Sequence, residues 1–413
     1  MAAPKFDLLD DRLSGLTLPG GDGWLGAARD DALGRLRAVG LPVRRDEYWR
    51  YTDPTPFTAA DPAGQAGEVD APLSDVEGFT VTIEGDAASW DGAVPDGLTV
   101  DALADAGGAD IHWARDLYGT LEAAGSRPVT RSLAMLNTAY ATGGVLIRAT
   151  GPVARPVVLR YAPGTDPILH HCVKVDAGAA LTLIETGHSG ARHNHVLEVD
   201  VAEGGAFHHL RVQPRDGRHA NTHLFARLGA EATLRSFTLS VGGALTRNEA
   251  VLSFEGDDAS ATVAGAAVGN GAFHHDDTVF VTHGAERCES RQVYKKVLRN
   301  GATGVFQGKI LVKEGAQKTD GYQISQSLLL DEDSVFLAKP ELEIYADDVA
   351  CSHGSTTGAI DETALFYLRS RGVPEKEATD LLVLSFLAEA LEEIDDEDLR
   401  ARTVGLLEGW LQG

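Results

Sequence analysis

Small residues recur at a near-constant interval through the middle of this chain. Gly178-Ala179, Gly204-Gly205, Gly229-Ala230, Gly256-Asp257 and Gly284-Ala285 follow one another at 26, 25, 27 and 28 residues. Between and around them lie short runs in which apolar and polar residues alternate, among them "GGVLIRA", "AALTLIE", "NHVLEVDV", "AFHHLRV", "ATLRSFTLS" and "EAVLSFEG", with scarcely any helical interval. Such alternation marks strands. Strands of similar length with small residues at each corner are what a stacked β-solenoid needs, because each coil buries its inward face only against its neighbours. A sandwich would have less regular connections, so the spacing favours a mainly β chain with a solenoid core over residues 143-349.

The flanks have a different texture. Residues 1-142 read as a helical and mixed region: Leu33, Leu36 and Val39 give a helical pattern from Ala27 that Gly40 and Pro42 end, and residues 58–110 read as loops around small strands. Residues 350-413 read as a helical domain. Asp361 is placed to cap a helix carrying Leu365, Phe366 and Leu368, Gly372 to end it, and Pro374 to open the next, whose apolar face holds Leu381, Leu384, Ala388 and Leu391. A last helix bears Leu399, Leu406 and Trp410. The acidic stretch "EEIDDED" between them is expected to be a solvated face or loop, and secondarily an interaction patch.

Charge excludes some partners. Lys plus Arg number 36 against 61 Asp plus Glu, a net charge of −25 that repels nucleic acid and anionic membrane surfaces. The start, "MAAPKFDLLDDRLSG", lacks the basic and apolar segments of an export signal, and no run of apolar residues is long enough to span a bilayer, so a cytoplasmic location is expected. The 3 cysteines, Cys172, Cys288 and Cys351, are too few and scattered for a disulfide framework or a four-thiolate metal site.

Three motifs carry candidate chemistry. "GDGWLG", Gly21 to Gly26, fits a dinucleotide fingerprint literally, but no adequate strand precedes it and no βαβ unit follows, which favours a plain glycine-rich loop before a helix. "GAFHH" occurs at 205–209 and again at 271–275, and His193 and His195 share one face of a strand. Paired imidazoles can bind a transition metal, yet no third ligand follows from spacing, and the expected place for these histidines is the outer face of the coils. Cys351 and His353, in "ADDVACSHGSTTG", face the same way if the last strand continues. Their backbones lie about 7 Å apart at ~3.3 Å per residue, too far for a nucleophilic dyad, and metal or sulfur handling is the better functional reading. A buried structural thiol is the alternative.

Long segments resemble the SufB/SufD family of the Suf iron–sulfur cluster assembly system. They are "KPELEIYADDVACSHGSTTGAIDETALFYLRSRGVP" (339–374), "SRQVYKKVLRNGATGVFQGKILVKEGAQKTDGYQISQSLLL" (290–330) and "GLPVRRDEYWRYTD" (40–53). The pattern is that of the SufD branch: where SufB carries a cysteine this chain has Ser325, and where SufB has His-Glu it has His353-Gly354. The resemblance implies a right-handed parallel β-helix core with helical N- and C-terminal segments. It also implies a complex with the paralogue SufB and the ABC-type ATPase SufC, the latter docked through the C-terminal helices, and leaves open whether the chain pairs with a copy of itself when alone. Within such a complex His353 is the implied ligand for iron or a transient iron–sulfur cluster shared with SufB, and Cys351 a second one. A flavin is associated with such complexes, but this chain carries no flavin fingerprint.

The expected role is thus a non-enzymatic subunit of a SufB–SufC–SufD assembly scaffold, active in iron entry and nascent cluster formation. A β-helix carbohydrate-active enzyme would need paired carboxylates on one face, and Asp347-Asp348 alternate faces. A purely structural solenoid adaptor would leave Cys351 and His353 dispensable.

Overall fold

The computed structural model describes residues 5–20, 23–63, 71–107, 112–162, 166–187, 190–214 and 217–412. Successive strands from Val145–Ala149 to Ala350–Gly358 alternate between two sheets, and each one from Ile168–Val175 to Asp320–Leu329 pairs in parallel with the strand two before and the strand two after it. The result is a parallel β-solenoid with two strands per coil. Register is continuous over long stretches: His219–Leu228 aligns residue for residue with Arg192–Val201 on one side and Leu245–Phe254 on the other.

The corners account for the sequence period. Gly178, Gly204, Glu231, Asp258, Arg287 and Lys318 each take positive φ there, and the interval grows from 26 residues (178 to 204) to 31 (287 to 318). Each of these residues donates its N–H to the carbonyl just before the corner of the next coil. Gly178 reaches Glu203 at 3.0 Å, Gly204 reaches Ala230 at 2.8 Å, Glu231 reaches Asp257 at 2.8 Å and Asp258 reaches Glu286 at 3.0 Å. Only the first two corners use glycine for its conformational freedom. Gly256 answers a different need, since a Cβ there would lie 2.0 Å from the Ala230 nitrogen of the coil beneath.

The sheets run beyond residues 143-349 at both ends. Before them, Phe79–Glu84 pairs in parallel with Val157–Ala162 and carries the antiparallel strand Ala87–Trp90 outside it, while Leu98–Ala102 runs antiparallel to Val145–Ala149. These strands cap the first coil. After them, Ala350–Gly358 still belongs to the ten-stranded sheet and is its edge, as Val335–Ile344 is the edge of the nine-stranded one.

Both outer faces are covered by helices, as parallel sheets require. On the nine-stranded sheet, Trp24–Val39 and Ser132–Tyr140 bury Leu33, Leu36, Leu133 and Leu136 in one cluster with Leu146, Ile168 and Val196. On the ten-stranded sheet, Glu375–Leu391 and Glu397–Gln412 bury Val383, Leu387, Leu391 and Leu407 with Ile184, Leu210, Phe237 and Val293. The helix Glu362–Ser370 buries none of its residues. Asp361 caps it as expected, its Oδ1 accepting from the Thr363 and Ala364 amides at 2.8 and 3.1 Å, and Gly372 leaves it at positive φ. Gly21 and Asp22 lie outside the described residues; Gly23 precedes the helix that Trp24 opens.

The acidic stretch is the largely exposed connection between the last two helices, as expected, with some of its carboxylates paired. Glu393 accepts from Arg291 at 2.7 Å and Asp395 from Arg235 at 2.8 Å, and these pairs tie the helix connection to the outer face of the ten-stranded sheet.

The motif at 40–53 is a staple across the nine-stranded sheet. Tyr48 donates to Glu341 at 2.7 Å, Thr52 to Asp276 at 2.6 Å, and the Arg247 guanidinium lies 4.3 Å from the Trp49 ring centroid. Beneath it Arg247 donates to Glu249 at 2.8 Å and pairs with Asp276, and Arg131 donates to Glu249 at 3.0 Å, all buried. Burial alone would raise the Glu249 carboxyl, but Arg247 and Arg131 override it and hold it at about 2. Since this lies below the ordinary 4.5, the ionised group stabilises the fold above pH 4.5, and that contribution is lost as pH falls toward 2. Glu249→Gln should therefore flatten the acid limb of the stability curve across that window, measured by urea unfolding, and an unaltered limb contradicts the assignment. Arg247→Leu, which strands Glu249 and Asp276, should cost about 3–5 kcal/mol at neutral pH.

Candidate functional site

The last strand inherits its orientation from the strand beneath it. Along Asp320–Leu329 the inward positions Gln323, Ser325 and Ser327 are buried, and register places them under His353, Ser355 and Thr357, with Gly321 under Cys351. Side-chain hydrogen bonds carry the alternation across: Ser325 Oγ donates to Ser355 Oγ and Ser327 Oγ to Thr357 Oγ1, both at 3.1 Å. Cys351 and His353 thus project on the inner face of the terminal coil. No further coil of this chain covers them among the described residues, so His353 is exposed while every inward residue of the preceding strand from 323 to 327 is buried.

The two side chains have different surroundings. Cys351 is half-buried beside Leu342 and Val349, and its Sγ sits over Gly321, where a Cβ would come within 3.1 Å of it. Burial pushes the thiol up from its ordinary value, the Gly321 amide opposes this, and the Asp320 carboxylate adds to it. A thiol so placed is protonated at neutral pH and becomes a ligand only when a cation displaces its proton. His353 offers a solvent-accessible imidazole on the same face. Two ligands two residues apart on one strand can share a soft metal, but they leave at least two positions of a tetrahedral site for donors from elsewhere.

The edges themselves differ. Val335–Ile344 carries Lys339, Pro340, Glu341 and Glu343, and a proline with flanking charges is a usual device against further pairing. Ala350–Gly358 has neither proline nor charge, and its outer row of backbone groups is free to accept another strand. Asp347 and Asp348 lie in the turn before it, both exposed, with Asp348 paired to Lys318.

The other histidines correct part of an expectation: His208 and His274 do face outward, His274 beside Thr52 and His208 beside Glu393 and Asp395. His193, His195, His209 and His275 are not on the outer faces of the coils; they point into the solenoid and are buried. Alternation allowed this reading, because His193 and His195 share parity with Leu197, Val199 and Val201, which line the interior core. His209 bonds to Glu185 at 2.8 Å, and His275 lies 2.9 Å from the buried Lys296 ammonium. Ser325 is fully buried.

Sequence spacing missed one further group. His170, Cys172 and Glu198 bring their donor atoms within 4.8 Å of one another, all buried on the outer face of the nine-stranded sheet. Glu198 is already engaged there: it accepts from the Gly119 and Glu122 amides at 2.6 and 2.8 Å, capping the helix Thr120–Gly125, and pairs with His170 Nε2 at 2.9 Å. Burial and then the Glu198 carboxylate push the Cys172 thiol well above its ordinary value. The group is a helix cap with a hydrogen-bonded imidazole.

Comparison with known proteins follows the same lines. Residues 162–386 match the family described as SUF system FeS cluster assembly, SufBD core domain. The chain is 30% identical over 402 residues to the iron–sulfur cluster assembly protein SufD of Escherichia coli, covering 92% of each chain. It is 28% identical over 412 residues to a SufBD family protein of Synechocystis, covering 90% of this chain and 87% of that one. It is also 30% identical over 163 residues to SufD of Bacillus subtilis, 40% of this chain and 37% of the relative.

Proposed function

The chain belongs to the SufBD family of the SUF iron–sulfur cluster assembly system, and from that membership we propose that it acts as the SufD-type subunit of a scaffold with SufB and SufC counterparts. In this reading it is not an enzyme. The open strand edge at Ala350–Gly358 pairs with the SufB-type paralogue, and His353 contributes an imidazole to iron or a nascent cluster held as cargo at that junction. Cys351 serves as a second ligand. The observation that carries the reading is the incomplete donor pair at an unblunted edge: half a ligand set beside half a sheet calls for another chain to complete both. A cargo site must also release what it assembles, and an exposed edge with few ligands suits that better than a closed one.

Docking of the SufC-type ATPase falls to the C-terminal helices. The helix Glu362–Ser370 exposes Phe366 at 73% and Tyr367 at 56%, the kind of aromatic anchors that dominate helix-in-groove contacts. The neighbouring helices are also needed by this chain's own core, where Val383 and Leu387 cover the ten-stranded sheet, so surface substitutions test docking better than truncation. Among the described residues no helix is long and apolar enough to cross a membrane.

His353→Ala should leave the three-subunit complex assembled and lower its iron and cluster content by about tenfold or more after anaerobic reconstitution. Cys351→Ser should have a smaller effect if the thiol mainly packs against Leu342, and an equal one if thiolate and imidazole bind together. Normal loading of an intact His353→Ala complex overturns the ligand assignment. Phe366→Asp should weaken retention of the ATPase by about thirtyfold, the loss of one anchor of ~2 kcal/mol, with the melting temperature of the isolated chain unchanged. Undiminished retention would move the docking face elsewhere.

A further inference from the structure

The last two strands of the ten-stranded sheet are joined inside the solenoid by rungs of side-chain hydrogen bonds. Three inward pairs lie in register there: Gln323 with His353, Ser325 with Ser355 and Ser327 with Thr357. The second and third are bridged, each by two hydroxyls at 3.1 Å. The first is open, although Gln323 is fully buried beneath it.

Packing holds Gln323 in that place from two directions. One strand below, Gln292 is also fully buried and in register with it, and Gln323 Nε2 donates to Gln292 Oε1 at 2.7 Å. Val263, an apolar core residue, ends the file under Gln292. On the opposite sheet stands Gly308, where a Cβ would lie 2.1 Å from Gln323 Nε2, so the glutamine fills the room that an absent side chain leaves. Held from below and from across, the amide has an Oε1 with no hydrogen-bond partner. A buried carbonyl oxygen left unpaired is costly.

In the rung between Gln292 and Gln323 the upper side chain donates to the amide oxygen below it. The next residue in the file is His353, one strand spacing of about 4.8 Å higher. An imidazole N–H reaches as far from its backbone as a glutamine amide does, and can repeat the donation. A metal-bound imidazole needs its second nitrogen protonated and held, and a carbonyl oxygen is a usual partner for it.

We propose that Gln323 is the positioning residue for His353: its Oε1 accepts one ring N–H of the imidazole, which fixes the tautomer and leaves the lone pair of the other nitrogen for iron. The inference rests on the reading of His353 as an iron ligand and adds the residue that orients it. Gln292 fixes the amide of Gln323 in turn, and neither glutamine touches the metal.

The test first reads the rung without iron. In the isolated full-length chain labelled with ¹⁵N-histidine, in mildly alkaline buffer, the ring nitrogen shifts of His353 report the ratio of its two neutral tautomers; His353→Ala assigns the signals. The native chain should favour one tautomer about fivefold more strongly than Gln323→Met does, the worth of one neutral hydrogen bond. Methionine keeps the volume beside Gly308. Gln323→Glu, whose carboxylate can only accept, should keep the native preference and serves if the methionine variant does not fold; loss of the preference in it would mean that Gln323 donates, against the proposal. In the SufB–SufC–SufD complex, anaerobic titration with iron(II) should show affinity about tenfold weaker for Gln323→Met and retained for Gln323→Glu. A tautomer ratio equal in Gln323→Met and the native chain would mean that water fills the rung, and overturns the proposal. A shifted ratio with unaltered iron affinity also overturns it when His353→Ala lowers that affinity. If His353→Ala binds iron as the native complex does, it is the ligand reading that fails, and the tautomer ratio still decides whether Gln323 holds the ring.

Discussion

Each strand of a parallel solenoid shares its backbone hydrogen bonds with the coil before and the coil after, and the last coil has only one neighbour. Everything that distinguishes this molecule's two ends follows from how that shortage is met. At the start, the strands Phe79–Glu84, Ala87–Trp90 and Leu98–Ala102 close the sheets. At the finish, one edge is blunted by Pro340 and its charged neighbours, and the other, Ala350–Gly358, is left unpaired with Cys351 and His353 on its inner face. The same register that buries Gln323 in one coil exposes His353 in the next.

The rest of the chain keeps that edge in place. The 40–53 motif reaches from the N-terminal helices to Glu341 on the blunted edge strand, over a buried layer of paired charges on the sheet's outer face that would be costly to strand singly. On the opposite sheet the C-terminal helices cover apolar residues while their acidic connection clasps Arg235 and Arg291. Contacts from both flanks of the chain thereby pack against the last coils of the solenoid.

Much of this was legible in the sequence. The glycine interval gave the coil length, although for mixed reasons: Gly178 and Gly204 take the left-handed corner themselves, whereas Glu231, Asp258, Arg287 and Lys318 take it later and Gly256 is required by close backbone approach. Asp361, Gly372 and Pro374 marked their helix ends because capping chemistry is local. The histidine pairs misled because period-two alternation says which residues share a face and not which face is the interior. In a solenoid covered on both sides the two are equally buried, and only parity with Leu197 and Val199 separates them. The ion pairs of the acidic stretch and the Glu198 cap link residues 76 to 160 positions apart, beyond any local pattern. That Cys351 and His353 share a face was readable; that no coil covers them was not.

The proposed role requires His353 to be a direct ligand at a junction between two chains. The most direct measurement is pulsed electron paramagnetic resonance on the iron-loaded SufB–SufC–SufD complex in which this chain alone is labelled with ¹⁵N-histidine. A ¹⁵N hyperfine coupling to the iron that disappears when His353 is replaced is the predicted result. An iron signal with no nitrogen coupling from this chain would contradict it and place the cargo entirely on the partner's donors.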